Sequence, residues 1–245
     1  MHRRIIGSLV LFVLLALRVL CGGVACAATG AAAAAPATMP PAMDERVRAC
    51  TSCHGVQGQG RNNDYFPRIA GKPAEYLFNQ LSAFRDGGRT YPPMGYLLAF
   101  LPDDYLRQIA RYFADLQPPY PESGHADLPP KLLAAGERLV MRGDPARGIP
   151  ACVACHGARM TGTEPGIPGL LGLHASYIAG QMGTWRSGTR HALAPDCMRT
   201  IALKLNDNDI TAVSNWLARQ PRPADPRPAP APAGRLPLAC GSQPQ

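Results

Sequence analysis

Two pentads, Cys50-Thr51-Ser52-Cys53-His54 and Cys152-Val153-Ala154-Cys155-His156, repeat one chemical unit in the two halves of a 245-residue chain. Thiols three positions apart lie on one helical turn, where each can add to a vinyl group of a haem, and the adjoining imidazole can then reach the iron. Cysteine pairs also build structural zinc sites and thioredoxin-like redox centres. A histidine at the fifth place of both pentads, together with an export signal, favours haem over either. The expectation is two covalently attached haem c groups, held by Cys50, Cys53, Cys152 and Cys155, with His54 and His156 as proximal ligands to iron.

The elements that position these groups repeat as well. At an offset of 101, Pro67 pairs with Pro168, Gly71 with Gly172, Tyr76 with Tyr177, Gln80 with Gln181, Phe84 with Trp185, Arg85 with Arg186 and Arg89 with Arg190. After a short insertion the offset becomes 104, matching Met94 with Met198, Leu101 with Leu205, Asp103 with Asp207, Ile109 with Val213 and Tyr112 with Trp216. A distal thioether must come from a segment well downstream of its pentad, and Met94 and Met198 are the methionines that align with each other. Met182 aligns with Leu81 and reads as core. Met160 lies too close to His156 to reach the opposite face, and Met141 precedes its pentad. Methionine is ordinarily a gap-filling core residue; here the matched positions make Met94 and Met198 the expected distal ligands.

The periodicity is helical throughout. A short helix leads through Asp44 to Cys53 into the first pentad, and Ala74 to Arg85 places Leu77, Leu81 and Phe84 on one face. Pro102 to Leu116 repeats the pattern with Leu106, Ile109, Phe113 and Leu116 before Pro118 and Pro119 stop it. In the second half Asn206 can cap a helix with Asp209 three positions on. No alternating run calls for a sheet, so the expected fold is all-α.

Around these elements the chain divides by composition. His2, Arg3 and Arg4 precede the apolar run Ile5 to Leu17, and Ala25-Cys26-Ala27 offers a small-x-small cleavage site, so residues 1–27 read as a signal peptide. The run is shorter than a membrane span and Arg18 interrupts it, which sets a retained anchor behind cleavage. Residues 28–43 form an Ala/Pro-rich spacer. Then come a first domain at 44–117, a Pro-rich linker at 118–130, a second domain at 131–220 and a Pro-rich tail at 221–245. The tail is expected to be extended or disordered, as a solvated trailer rather than a docking arm. His125 reads as an exposed linker residue, and Trp185 and Trp216 as packing residues. Each domain is near the size at which a polypeptide core alone is marginal, so a buried haem would supply much of the interior.

The chain carries a net charge of +8, of which the leader arginines Arg3, Arg4 and Arg18 account for three, leaving +5 after cleavage. Four haem propionates bring that near neutrality. The second domain is the more basic, an asymmetry that can orient docking and speed encounter. Without a dense basic stripe this charge gives no ground for nucleic-acid binding.

The pentads, the aligned methionines and the prolines downstream resemble those of dihaem class I cytochromes c of the cytochrome c4 type, over roughly residues 44–219. The resemblance implies two tandem class I cytochrome c domains, each a small helical bundle around a covalently bound haem. It also implies that the carbonyls of Pro67 and Pro168 accept the proton of the proximal imidazoles and orient them. Two departures stand out. Pro102 occupies the capping position that Asn206 keeps in the second half. Cys197, beside Met198, either pairs with Cys240, stays a buried thiol, or itself binds iron.

Iron held by His and Met has six ligands and no vacancy for a substrate, which suits single-electron exchange rather than catalysis, and Met ligation raises the potential. The expected function is that of a periplasmic carrier of single electrons between redox protein partners. The resemblance implies delivery from quinol-oxidising enzymes towards a terminal oxidase, with membrane-surface association left open. The alternatives are a dihaem oxidoreductase of small sulfur compounds or peroxide, and a cytochrome subunit of a larger dehydrogenase.

Overall fold

A computed structural model of the chain describes residues 42–243. The leader at 1–27 and most of the spacer at 28–43 lie outside the described residues. The N-terminal bundle comprises α1 (Met43–Arg46), α2 (Arg48–His54), α3 (Ala74–Arg85), α4 (Pro92–Leu98) and α5 (Asp103–Asp115). The C-terminal bundle comprises α6 (Pro130–Arg142), α7 (Val153–His156), α8 (Ala175–Ser187), α9 (Cys197–Ala202) and α10 (Asp207–Ala218). Among the described residues no helix is long and apolar enough to cross a membrane.

Each bundle has its own core. In the first, α3 packs on α5, and Leu106, Ile109, Ala110 and Phe113 of α5 are buried at helical spacing against Leu77 and Phe78 of α3. Leu81 and Phe84 pack at the margin of this cluster. In the second, α6 and α8 pack on α10, whose Ile210, Val213 and Leu217 meet Leu139, Val140 and Ile178. The start of α10 is fixed by a reciprocal cap: the Asn206 side chain accepts from the Asp209 amide and the Asp209 carboxylate accepts from the Asn206 amide, both at 2.9 Å. The start of α5 has Pro102 in extended conformation and no side-chain cap.

One helical glycine sits where α6 crosses α10. A Cβ on Gly136 of α6 would stand 2.3 Å from the Ala212 carbonyl oxygen of α10, so the two backbones can approach only because that side chain is missing. Gly136→Val is expected to cost about 1–3 kcal/mol of unfolding free energy through overpacking, measured as a lower denaturant midpoint with an unchanged slope.

Two features depart from the sequence reading, the ladder and the tail, and the linker adds bonds that the sequence does not show. A two-stranded antiparallel ladder, β1 (Gly162–Thr163) with β2 (Ile167–Pro168), interrupts the all-α pattern and is too short for alternation to register in the sequence. The segment between the bundles is a tether as well as a spacer: Arg68 donates to the Pro119 carbonyl at 3.0 Å, and the Ala126 amide donates to Asn215 Oδ1 at 2.7 Å. His125 in it is exposed, as expected. The tail is extended, but it is no solvated trailer. Ala229 bridges in parallel to Thr163, Gly241 donates to the Pro195 carbonyl at 3.0 Å, and Cys240 is joined to Cys197 by a disulfide. Proline excludes helix there without excluding docking, because side chains and the remaining amides can still bond to a neighbouring segment.

Candidate haem sites

Both pentads end a helix, and each pentad histidine, His54 or His156, is its last residue. His54 Nδ1 lies 2.9 Å from the Pro67 carbonyl and His156 Nδ1 lies 2.8 Å from the Pro168 carbonyl. Burial lowers the pKa of both rings, with the carbonyl bond opposing it, so each imidazole is held neutral. A neutral ring that donates from Nδ1 has its lone pair at Nε2, the tautomer a metal requires.

The carbonyls left open at the end of each pentad helix are satisfied differently in the two halves. Arg61 donates to the carbonyls of Cys53 at 3.0 Å and Ser52 at 2.8 Å. Thr163, its equivalent at the pentad offset of 102, donates its hydroxyl to the Cys155 carbonyl at 2.9 Å. Burial raises the pKa of the Cys50 and Cys155 thiols and pushes that of Cys152 up to about 11.

In the C-terminal bundle Cys152, Cys155, His156 and Met198 line one cavity of about 420 Å³, together with Trp185 and Arg190. Met198 reaches it from α9, whose start is capped by Asp196: its carboxylate accepts from the Arg199 amide at 2.9 Å and the Ala192 amide at 2.8 Å. The disulfide to Cys240 resolves the alternatives for Cys197 and removes it as a thiol ligand. In the N-terminal bundle, Cys50 and Met94 pack against the same core cluster, and the edge of the His54 ring meets Phe66. Of the methionines set aside, Met160 is buried in the second core and Met141 is exposed.

The two bundles meet through a symmetric polar frame. Arg89 donates to Gln80, Gln181 and the Tyr177 hydroxyl, and Arg190 donates to Gln181 and Gln80, at 2.7–3.0 Å. The backbones bridge at the same two arginines. Arg190 is almost wholly buried, and burial, with Arg89 beside it, lowers its pKa to about 10. Lys72 is buried on the cavity wall, its ammonium 2.7 Å from the Gly169 carbonyl, and burial, with Arg68 nearby, lowers its pKa to about 7.

Among the described residues no carboxylate forms an ion pair with Lys72, Arg89 or Arg190. The buried indole Nε1 of Trp185, at the same cavity, has no hydrogen-bond partner. Two buried cations, Lys72 and Arg190, and an orphaned donor around an apolar cavity want an apolar ring bearing carboxylates. The residues present fit a haem, whose propionates Lys72, Arg190 and the Trp185 indole would hold. The pairing of Gln80 with Gln181 and of Arg89 with Arg190 in the repeat is the signal for this frame, but pairing alone assigns no role. The alignment of Trp185 with Phe84, which has no donor, points only to packing and hides the indole's polar role.

The Cytochrome c family model matches residues 32–111. A thiosulfate dehydrogenase electron acceptor of Thiomonas intermedia (strain K12) is 40% identical over 190 residues, covering 77% of this chain and 85% of that protein. The crystal structure of reduced recombinant cytochrome c4 from Pseudomonas stutzeri superposes with a TM-score of 0.62 at 34% identity, over 71% of this chain and 95% of that one. The chain belongs to the dihaem cytochrome c4 family. A thiosulfate dehydrogenase from Marichromatium purpuratum superposes with a TM-score of 0.64 at 31% identity over 70% of this chain, which spans only 36% of that longer chain. As a cytochrome c4 the protein is an electron carrier rather than an enzyme. It consists of two tandem class I cytochrome c domains, and it carries covalently bound haem c at the Cys-x-x-Cys motifs 50–53 and 152–155.

Proposed function

We propose that this cytochrome c4 accepts single electrons from an exported oxidoreductase and hands them on towards a terminal oxidase, working in the periplasm after loss of residues 1–27. Its domains run from 44 to 117 and from 131 to 220. Haem c held between histidine and methionine supplies one-electron exchange at a raised potential. His54 and Met94 hold the first iron and His156 and Met198 the second, with thioethers to Cys50, Cys53, Cys152 and Cys155. The Pro67 and Pro168 carbonyls keep each imidazole in the ligating tautomer. Arg190, on the cavity wall, would offset the charge of a propionate, and the Gln80 and Gln181 side chains that it shares with Arg89 hold the two domains in a fixed relation.

The observation that carries this reading is the cavity of the second domain, where the pentad thiols, His156 and Met198 share one wall system. The likeness to a protein named as the electron acceptor of a thiosulfate dehydrogenase favours such a dehydrogenase as donor over a quinol-oxidising one. It also ranks the carrier above an enzyme acting on sulfur compounds itself. Ferric-state absorption and magnetic circular dichroism of the purified holoprotein test the ligation. Two low-spin haems, both with the far-red band of methionine bound to ferric iron, are expected. A high-spin haem, or a band at half intensity per haem, overturns the assignment.

A further inference from the structure

The tail is the segment that the carrier function leaves unexplained, and it crosses the second haem site from one wall to the other. On the proximal side, Ala229 donates to the Gly162 carbonyl and accepts from the Glu164 amide, both at 2.9 Å, beside the β1–β2 ladder that presents Pro168 to His156. Asp225 adds an ion pair to Arg159 at 3.3 Å. Gln243 is buried, and with its amide oriented to suit its neighbours its side-chain oxygen accepts from the amides of Gly166 and Ile167, both at 3.0 Å. On the distal side, Gly241 bonds to Pro195 and Cys240 is bonded to Cys197, the residue before Met198. Between these anchors Leu238, Cys240 and Ser242 line the same cavity as the second pentad and Met198.

The first domain is built differently at the matching place. Among the described residues no segment crosses it, and the rim around Met94 is open, with Tyr96 91% and Phe100 96% exposed. At the 104 offset these positions are Thr200 and Lys204, so the rim is apolar in one domain and polar in the other.

We infer that residues 221–243 form a strap that closes the edge of the second haem, so that partners exchange electrons with the molecule through the first. The inference rests on the His/Met electron-carrier reading above. A segment anchored on both walls of a crevice, and locked covalently at one end, keeps solvent and partner surfaces off the edge it spans. The second haem is then filled and emptied from the first across the Arg89–Arg190 interface.

The test uses the holoprotein with one haem taken out of play at a time. In a Met94→His background the first haem is driven to low potential, so ascorbate in stopped flow reduces the second alone; Met198→His isolates the first. The second-order rate constant is expected to be severalfold lower for the second haem than for the first. Removing the strap, as Cys197→Ser/Cys240→Ser or as a chain ending at Gln220 with Cys197→Ser, is expected to raise the second haem's constant and leave the first unchanged. Equal constants for the two haems, or no change when the tail is lost, overturn the strap. Failure of Met94→His to separate the two potentials counts instead against the ligand reading. Amide hydrogen exchange decides the strap independently of ligation. Glu164, Ala229 and Gly241 are expected to exchange slowly in the full chain and fast in the double serine variant. Unprotected exchange in the full chain shows the strap unseated and overturns the proposal.

Discussion

Replacing Met94 with histidine is expected to lower the potential of the first haem by a few hundred millivolts, a fraction of the roughly 0.8 V that axial ligands span. A thioether is a soft neutral donor that favours ferrous iron, whereas imidazole stabilises the ferric form. At about 59 mV per tenfold for one electron, the equilibrium for accepting an electron from a given donor falls by on the order of a thousandfold or more. The second haem keeps its own ligands and should move little, so an optical redox titration is expected to split into two well-separated waves. The far-red methionine band should fall to half. Met160→Leu is the internal control. Met160 is buried in the second core, and replacing it should leave both potentials in place. If Met94→His leaves the titration unsplit, the first iron does not bind that sulfur.

The helices that frame these sites are legible because burial imposes a period on the sequence. Leu106, Ile109 and Phe113 lie on one face at helical spacing and are all buried in α5, and the cap at Asn206 was spelled out by Asp209 three places on. The histidine–carbonyl bonds came from the resemblance, since nothing in the spacing of Pro67 or Pro168 names an acceptor. The interface was half visible. Duplication paired Arg89 with Arg190, but that both share the same two glutamines depends on how the repeats pack face to face, which no local pattern encodes. The tail stayed hidden because its anchors are mostly backbone bonds, through Ala229 and Gly241, and backbone donors are common to every sequence. Cys240 was the one residue there whose chemistry pointed to a partner, and it left three options open.

Lys72 shows how such an unreadable contact can matter for the chemistry. It belongs to the first domain, yet its ammonium is bonded to Gly169 of the second, next to the carbonyl that orients His156. The equivalent position in the repeat is Leu173, so the second domain returns no such cation to the first. A buried positive charge opposes the extra positive charge of ferric iron and so favours the reduced haem. At an effective dielectric of about 20 a nearby unit charge is worth on the order of 1–2 kcal/mol, or roughly 50–100 mV for one electron. Lys72→Met is therefore expected to lower the potential of the second haem by about that amount and to move the first by much less, whereas Lys72→Arg should retain most of it.

The sign with pH follows from the same geometry. Burial lowers the Lys72 pKa to about 7, with Arg68 acting in the same direction, and Arg68 keeps its own charge throughout this range. Below pH 7 the ammonium is present and the second potential is high. As pH rises through about 7 the proton is lost and that potential falls, while in Lys72→Met it should run flat at the lower level. Potentiometric titration of both proteins from pH 6 to about 9, a range that brackets the shifted Lys72 value, makes the comparison. A pH slope of equal size in Lys72→Met would assign it to another group and remove Lys72 from the control of the second haem.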